Sequence, residues 1–334
     1  MRFRLSIVGF AILALMVIWL FFLSFVNSLQ MGFGFLVVAK LLILLLLLHQ
    51  LRLEWQSVLL KKEEILGRPM FDREGLLQFL AVVGGTLAAF FLSHQYGLGA
   101  VLASSVVGLG AALFIPRLQV PAYCGSFVGM ACNLVFFTYF HITLAGLLGG
   151  LLFVLGRRVL NGFGGKLGTI AFFGTVGASF LTVSPLRVGD SLSWDLAVLV
   201  TVYSVLGAVL TYIIGEQLNQ SVVFASGFMG FLGGVMLPFV YPEVGEVLAV
   251  VFFCASFAGM SSLSRLPGEK YVAIAGLFSA LIFVYSFPLF DGSGGKLGTI
   301  AFGATIAVGG YVDIKTRVKE WFRRRDKNRI ASEE

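Results

Sequence analysis

Long stretches of this 334-residue chain carry no charged side chain. The first runs from Leu5 to Val26, and segments of similar character follow along the chain. About 20 apolar residues in a helix cross the ~30 Å hydrocarbon layer of a bilayer, and lipid tolerates only backbones that satisfy their own hydrogen bonds. The chain has 12% charged and 58% hydrophobic residues, whereas soluble domains carry roughly 25% charge. It is therefore predicted to be an all-α polytopic membrane protein.

Charged and turn-rich breaks divide the chain into about twelve predicted transmembrane helices. The first is too long for the apolar core of a signal peptide and is predicted to be a signal anchor. After the second helix, the segment 52–74 mixes apolar and charged residues and is predicted to be an amphipathic helix on the membrane surface. The predicted spans are 5–26, 31–49, 76–93, 98–115, 121–140, 142–156, 167–185, 195–214, 220–239, 246–262, 271–288 and 297–312.

The basic residues are unevenly distributed over the two sides of this topology. If the N-terminus is cytoplasmic, 21 of the 24 Lys and Arg residues fall inside, Arg187 and Lys296 fall outside, and Lys40 lies within the second span. This is the positive-inside pattern, so both termini are predicted to be cytoplasmic, in the inner or plasma membrane of the cell. Much of the net charge of +7 lies in the tail 313–334, which predicts attraction to anionic lipid and no nucleic-acid binding.

A nine-residue motif occurs twice. The residues Gly-Gly-Lys-Leu-Gly-Thr-Ile-Ala-Phe fill 164–172 and, with an offset of 130, 294–302. The same offset aligns 124–130 with 254–260, and an offset of 122 aligns the more N-terminal glycines and serines of the two halves. The chain is therefore predicted to contain two N-terminal helices with their linker (1–75), repeat A (76–186), repeat B (195–312) and the basic tail.

Each repeat contains five predicted spans, and an odd number of crossings inserts the second copy upside down. Five-plus-five inverted repeats recur in secondary transporters and solute channels, where the substrate path lies at the repeat interface. The chain is similar to amino-acid symporters, ammonium channels and urea channels in this architecture alone. No sequence motif of those families is present, so the likeness assigns no residue a role.

Two motifs provide the candidate substrate path. In Gly-Gly-Lys, converging backbone N–H groups and the Lys ammonium would attract an anion; alternatively, the glycines form a turn and each Lys snorkels to its interface. In Cys-x-Ser-Phe-x-Gly-Met, serine and methionine share a helix face that either packs closely or faces a solute. The candidate path residues are Ser126, Phe127, Met130, Ser256, Phe257, Met260, Lys166, Thr169, Lys296 and Thr299.

Other chemistries find little support in the sequence. Leu167 stands where a phosphate-binding P-loop requires Ser or Thr. The three Cys and three His are scattered and predict no metal site, no cofactor and no catalytic set. Acidic residues fall at span ends or in loops, which disfavours ion-coupled pumping. Lys40 is expected to snorkel or to pair across a subunit contact rather than to bind substrate.

The sequence thus predicts a membrane transporter or channel-like pathway for a small polar or anionic solute. Two alternatives stay open at this point: a structural or assembly protein of the membrane, in which the repeats only pack, and a membrane-embedded enzyme acting on lipid. Expected partners are the solute, membrane lipids and, if it self-associates, further copies of the chain.

Overall fold

The structure, a computed structural model, describes residues 2–30, 34–60 and 72–333. Apolar segments of this kind adopt helices because a helix satisfies its backbone polar groups within one segment. The described residues form twelve α-helices and no strand, with one isolated bridge between Arg187 and Asp291. The helices are α1 Arg2–Gln30, α2 Gly34–Leu60, α3 Arg73–His94, α4 Gly99–Phe114, α5 Gln119–Gly129, α6 Tyr139–Gly156, α7 Lys166–Leu181, α8 Ala197–Tyr212, α9 Val222–Val240, α10 Gly245–Gly259, α11 Glu269–Ser286 and α12 Lys296–Glu333.

Eight of these helices are long and apolar enough to cross a membrane: α1, α2, α3, α6, α8 with its flanking turns, α9, α11 and α12. The chain is therefore a multi-pass, all-helical protein of the membrane type. The helices α4 and α7 have 16 residues each, α10 has 15 and α5 has 11. At 1.5 Å per residue, these four fall short of ~30 Å. The prediction that twelve full spans cross the bilayer is not confirmed.

Two predicted segments differ from the structure, and one helix runs beyond its predicted span. The span 121–140 is broken, because α5 ends at Gly129 and α6 begins only at Tyr139. The stretch 52–60 continues α2 instead of forming a surface helix, since Leu47, Leu51, Glu54 and Val58 lie on one buried face; residues 61–71 lie outside the described part of the chain. The tail continues α12 through Glu333.

The helices α3–α7, called the first half, and α8–α12, called the second half, have equivalent neighbours. In the first half, α3 packs on α5 and α6, α4 on α5, and α7 on α5 and α6. In the second half, α8 packs on α10 and α11, α9 on α10, and α12 on α10 and α11. Between the halves, α4 contacts α9 and α7 contacts α12. Each of these cross-contacts joins helices at the same place in the order of the two halves.

Small residues allow the close approach of helices within each half. A Cβ on Gly85 of α3 would overlap the carbonyl oxygen of Ala122 in α5, and a Cβ on Gly207 of α8 would overlap that of Phe252 in α10. Contacts this short require glycine and are typical of helices that pack in lipid. Both glycines belong to the alignment at an offset of 122, so the shared spacing reflects a shared packing contact.

Candidate functional site

A cavity of about 380 Å³ lies between the two halves. Four predicted path residues line it: Phe127, Lys166, Phe257 and Met260. The other six predicted path residues, namely Ser126, Met130, Thr169, Ser256, Lys296 and Thr299, are not part of its lining. The full lining is Val120, Phe127, Phe153, Arg157, Asn161, Gly162, Phe163, Gly164, Gly165, Lys166, Leu167, Ile170, Glu216, Val222, Phe257, Met260 and Ser262.

Aromatic rings from both halves meet at the cavity. The ring centroids of Phe127 and Phe257 are 4.6 Å apart. Tyr123 lies 6.5 Å from Phe257, and Phe253 lies 6.2 Å from Phe127. Tyr123 is equivalent to Phe253 at an offset of 130, and Phe127 is equivalent to Phe257. Each contact is therefore the counterpart of the other in the opposite half. Such aromatic pairs contribute roughly 0.5–1.5 kcal/mol beyond their buried area, and they form an apolar contact across the interface.

The two predicted serines are buried and hydrogen-bonded. The Ser126 hydroxyl lies 2.8 Å from the Ser104 hydroxyl, and the Ser256 hydroxyl lies 2.8 Å from that of Ser226. The phenol of Tyr123 reaches Ser226 at 2.9 Å, across the interface between the halves. These bonds join α4 to α5, α9 to α10, and the two halves to each other. Contact of either serine with a solute stays a prediction.

The helices α7 and α12 cross at their first turns. Gly165 and Gly295, which precede them, have φ values of +84° and +83°, a region that favours glycine. A Cβ on Gly165 would overlap the carbonyl oxygen of Gly298, and a Cβ on Gly295 would overlap that of Gly168. Glycine is therefore required at both positions by conformation and by space.

Two further hydrogen bonds repeat this exchange of roles. The Thr175 hydroxyl donates to the carbonyl of Gly294 at 2.9 Å, and the Thr305 hydroxyl donates to the carbonyl of Gly164 at 3.0 Å. Thr175, in the third turn of α7, thus contacts the segment just before α12. Thr305, in the third turn of α12, contacts the segment just before α7. The two helices are therefore antiparallel where they cross.

Both lysines of the repeated motif bind backbone carbonyls. The Lys166 ammonium donates to the carbonyls of Gly156 at 2.7 Å and Val159 at 2.6 Å, and to the side-chain oxygen of Asn161 at 2.6 Å. The Lys296 ammonium donates to the carbonyls of Phe287 and Leu289, both at 2.9 Å. Each lysine therefore stabilises the chain that leaves the preceding helix, where carbonyls lack helical partners.

The threonines and methionines of the two motifs have different contacts, although the motifs match in sequence. The Thr299 hydroxyl donates to the carbonyl of Gly295 at 3.3 Å, whereas the buried Thr169 hydroxyl has no hydrogen-bond partner. Met130 and Met260 directly follow the ends of α5 and α10. Of these four residues, only Met260 reaches the cavity.

Four polar residues of the cavity wall were not among the sequence candidates: Arg157, Asn161, Glu216 and Ser262. In the sequence, Arg157 counts only among the basic residues of the cytoplasmic side, and Glu216 only among the acidic residues at span ends. Glu216 lies in a π-helical turn, Ile213–Gln217, that follows α8. Proximity to the repeated motif marks Asn161 as a candidate, but no sequence signal identifies the π turn.

An ion pair fastens the loop beside the cavity to a helix outside the repeats. Arg265 binds the carboxylate of Glu54 in α2 with two hydrogen bonds, at 2.5 and 2.9 Å. The same guanidinium donates to the carbonyl of Asn161 at 3.0 Å and lies 4.4 Å from the ring centre of Phe163. This network connects α2, the segment before α7 and the loop after α10.

A second ion pair lies at the start of α3. Asp72 accepts a 2.7 Å hydrogen bond from the backbone N–H of Gly75 and thereby caps the helix. Its other partner is Arg157, 3.4 Å away. The Gly75 N–H, followed by the Arg157 guanidinium, holds the pKa of the Asp72 carboxyl below its usual value.

The snorkelling interpretation of Lys40 is wrong. Only 2% of this residue is exposed. Its ammonium donates to the backbone carbonyl and to the hydroxyl of Ser24 in α1, and it lies 3.8 Å from the ring centre of Tyr285 in α11. Lys40 therefore joins α1, α2 and α11 within one chain, where an aromatic face and two oxygens replace water around the charge.

Comparisons with protein family models, curated proteins and solved structures found no match.

Proposed function

We propose that the chain is a transport protein of the membrane, which passes a small polar or anionic solute along a path between two inverted five-helix repeats. The observation that carries this proposal is the cavity of about 380 Å³, to which both halves contribute wall residues. Solute pathways in inverted-repeat transporters lie at this interface, and discontinuous helices contribute to them. The helix break after Gly129 and the short helices α7 and α10 fit that pattern.

The contacts between α7 and α12 support the inversion. A pair of antiparallel helices that exchange roles is related by a two-fold axis perpendicular to both. Because α12 is a candidate membrane span, such an axis would lie in the membrane plane. This is the geometry of inverted-topology repeats.

The described ion pairs support the sidedness of the predicted topology. All of them join segments assigned to the cytoplasmic side: His49 with Asp313, Arg157 with Asp72, Arg265 with Glu54, and Arg317 with Asp313. We place this side and both termini in the cytoplasm, with the protein in the plasma membrane. Trp321 and Phe322 are exposed among the basic residues of α12, as suits a segment attracted to anionic lipid.

Flux measurements test the proposal. Purified protein in liposomes would be given a panel of radiolabelled or osmotically active solutes: anions, neutral polar molecules and zwitterions. We expect flux above protein-free liposomes for at least one class. If no solute crosses, while the protein is folded and reconstituted, an assembly function replaces transport.

Chemical modification locates the path. With Cys124, Cys132 and Cys254 replaced by Ala, Ser262→Cys introduces a thiol on the cavity wall, and Ser264→Cys introduces one on an exposed surface two residues away. A bulky methanethiosulfonate reagent should reduce flux at least tenfold in the first variant and less than twofold in the second. Modification acts on folded protein, so equal flux in both labelled variants would show that the cavity is not the path.

A further inference from the structure

The carboxylate of Glu216, on the cavity wall, has no partner among the described residues. The half-buried Glu216 forms no hydrogen bond or ion pair with the described residues, whereas the neighbouring Gln217 side chain donates to Glu269. A partly desolvated carboxylate without a partner is costly. The π turn that carries Glu216 is a rare feature, and single π turns are frequent at functional sites.

One positive charge of the wall is also uncompensated. The three N–H donors of Lys166 reach two backbone carbonyls and one amide oxygen, all of them neutral acceptors. No carboxylate among the described residues lies within ion-pair distance of this ammonium. Arg157, in contrast, pairs with Asp72. Apart from that pair, the wall holds one negative and one positive charge.

The rest of the wall is mostly apolar. Phe127, Phe163, Phe257 and Met260 present rings and a thioether, which suit a hydrocarbon group better than an ion. A volume of about 380 Å³ equals about a dozen water molecules at roughly 30 Å³ each. A solute that fills the cavity is therefore small and carries an apolar body.

We propose that the cavity binds a small zwitterion, such as an amino acid with an apolar side chain. Its ammonium group pairs with Glu216, its carboxylate is attracted by Lys166, and its side chain contacts the aromatic wall. The carboxylate would replace Asn161 as one acceptor of the Lys166 ammonium. This inference rests on the proposed transport function, and it narrows the solute from polar or anionic to zwitterionic.

Calorimetry on the purified full-length protein tests the charge requirement. The probes are alanine, valine, leucine and phenylalanine, each compared with the amine that lacks its carboxylate and the carboxylic acid that lacks its amine. At least one amino acid should bind at least tenfold more tightly than both of its analogues. The inference is overturned if no amino acid binds, or if a carboxylic acid binds as tightly as its parent.

Substitution at Glu216 assigns the ammonium contact. Glu216→Gln should weaken binding of the amino acid at least tenfold and leave binding of the carboxylic acid unchanged. Glu216→Asp keeps the charge and should retain part of the affinity, which separates loss of charge from loss of folding. Glu246→Gln is the control, because Glu246 is an exposed carboxylate in the first turn of α10 and lies outside the lining of the cavity, and its effect should be below twofold. Equal affinities in the Glu216→Gln variant and the parent would refute the assignment.

Flux separates this inference from the proposed function. If an amino acid binds with the expected dependence on Glu216 but does not cross a liposome membrane, the site is correct and transport is wrong. If other solutes cross and no amino acid binds, transport stands and the zwitterion is wrong.

Discussion

The two copies of the repeated motif have nearly the same backbone and different surroundings. Gly162 and Gly292 have φ values of +85° and +82°, and Gly165 and Gly295 repeat this agreement. Beside the first copy, however, the largely apolar cavity wall also carries charged side chains, and the adjacent loop is held by the ion pair of Arg265 with Glu54. At the equivalent position beside the second copy of the motif lies Val135 of the first repeat, which is buried and apolar.

The difference separates two kinds of requirement. The glycines are dictated by a crossing in which backbones touch, so both sides need them. Arg265 and Glu216 are charged on one side only, where Arg265 holds a loop and Glu216 lines the cavity. The identical glycines therefore report shared packing, and the residues that differ between the copies distinguish the two sides.

The largest expected effect concerns sidedness. Leu134 and Ser264 are equivalent at an offset of 130, and both are exposed. With the three native cysteines replaced by Ala, Leu134→Cys and Ser264→Cys should react with a membrane-impermeant maleimide from opposite faces of oriented vesicles. Ser264→Cys should react only from the cytoplasmic face. Labelling of both from the same face would end the comparison, because the halves would not be inverted.

The next effect concerns the shared glycines. Gly165→Ala and Gly295→Ala should each lower the free energy of unfolding by about 2–5 kcal/mol, from backbone strain of ~1–2 and overpacking of ~1–3 kcal/mol. The melting temperature in detergent measures this. Gly84→Ala and Gly110→Ala are controls, because nothing lies within 4 Å of a Cβ there, and they should be neutral or slightly stabilising. A large effect at only one of the two crossing glycines would show that the junctions are not equivalent.

A smaller effect is expected at the ion pair that distinguishes the two sides. Arg265→Gln should lower the free energy of unfolding by about 1–3 kcal/mol, since it leaves the carboxylate of Glu54, whose side chain is 9% exposed, without its cation. Arg317→Gln breaks an exposed pair with Asp313 in one helix and should cost much less, because water screens an exposed ion pair. Thermal unfolding of both variants gives the contrast. Equal effects would mean that the loop is not held by Arg265.

The smallest effect is a dependence on pH at Asp72. Because its pKa is lower in the folded than in the unfolded chain, the ionised carboxylate stabilises the fold above the unfolded pKa near 4, and this contribution is lost as pH falls through the folded pKa. Asp72→Asn keeps a capping oxygen and removes the charge. As the pH is lowered from 6 to 3, the melting temperature should therefore fall less steeply in this variant than in the parent. Parallel curves would assign the acid sensitivity to other groups.

The sequence determined the fold class, because apolar length and missing charge act locally along each segment. Twelve predicted segments correspond to twelve described helices, and the repeated motif located the crossing of α7 and α12. The sequence did not determine which helices are long enough to span a membrane. The helix α5, for example, ends at Gly129, where it packs against the backbone of α3.

Most of the cavity lining was also not predictable from the sequence. Phe127, Phe257, Lys166 and Met260 were predicted because they belong to repeated motifs, and they line the cavity. Arg157 and Glu216 are not repeated, and nothing in their local sequence distinguishes them from other charges at helix ends. Only the packing of the two halves, together with the π turn at Glu216, brings them to the same wall. Apolar periodicity is a property of one helix, whereas a binding wall is made by side chains from several, so its composition is decided by tertiary structure.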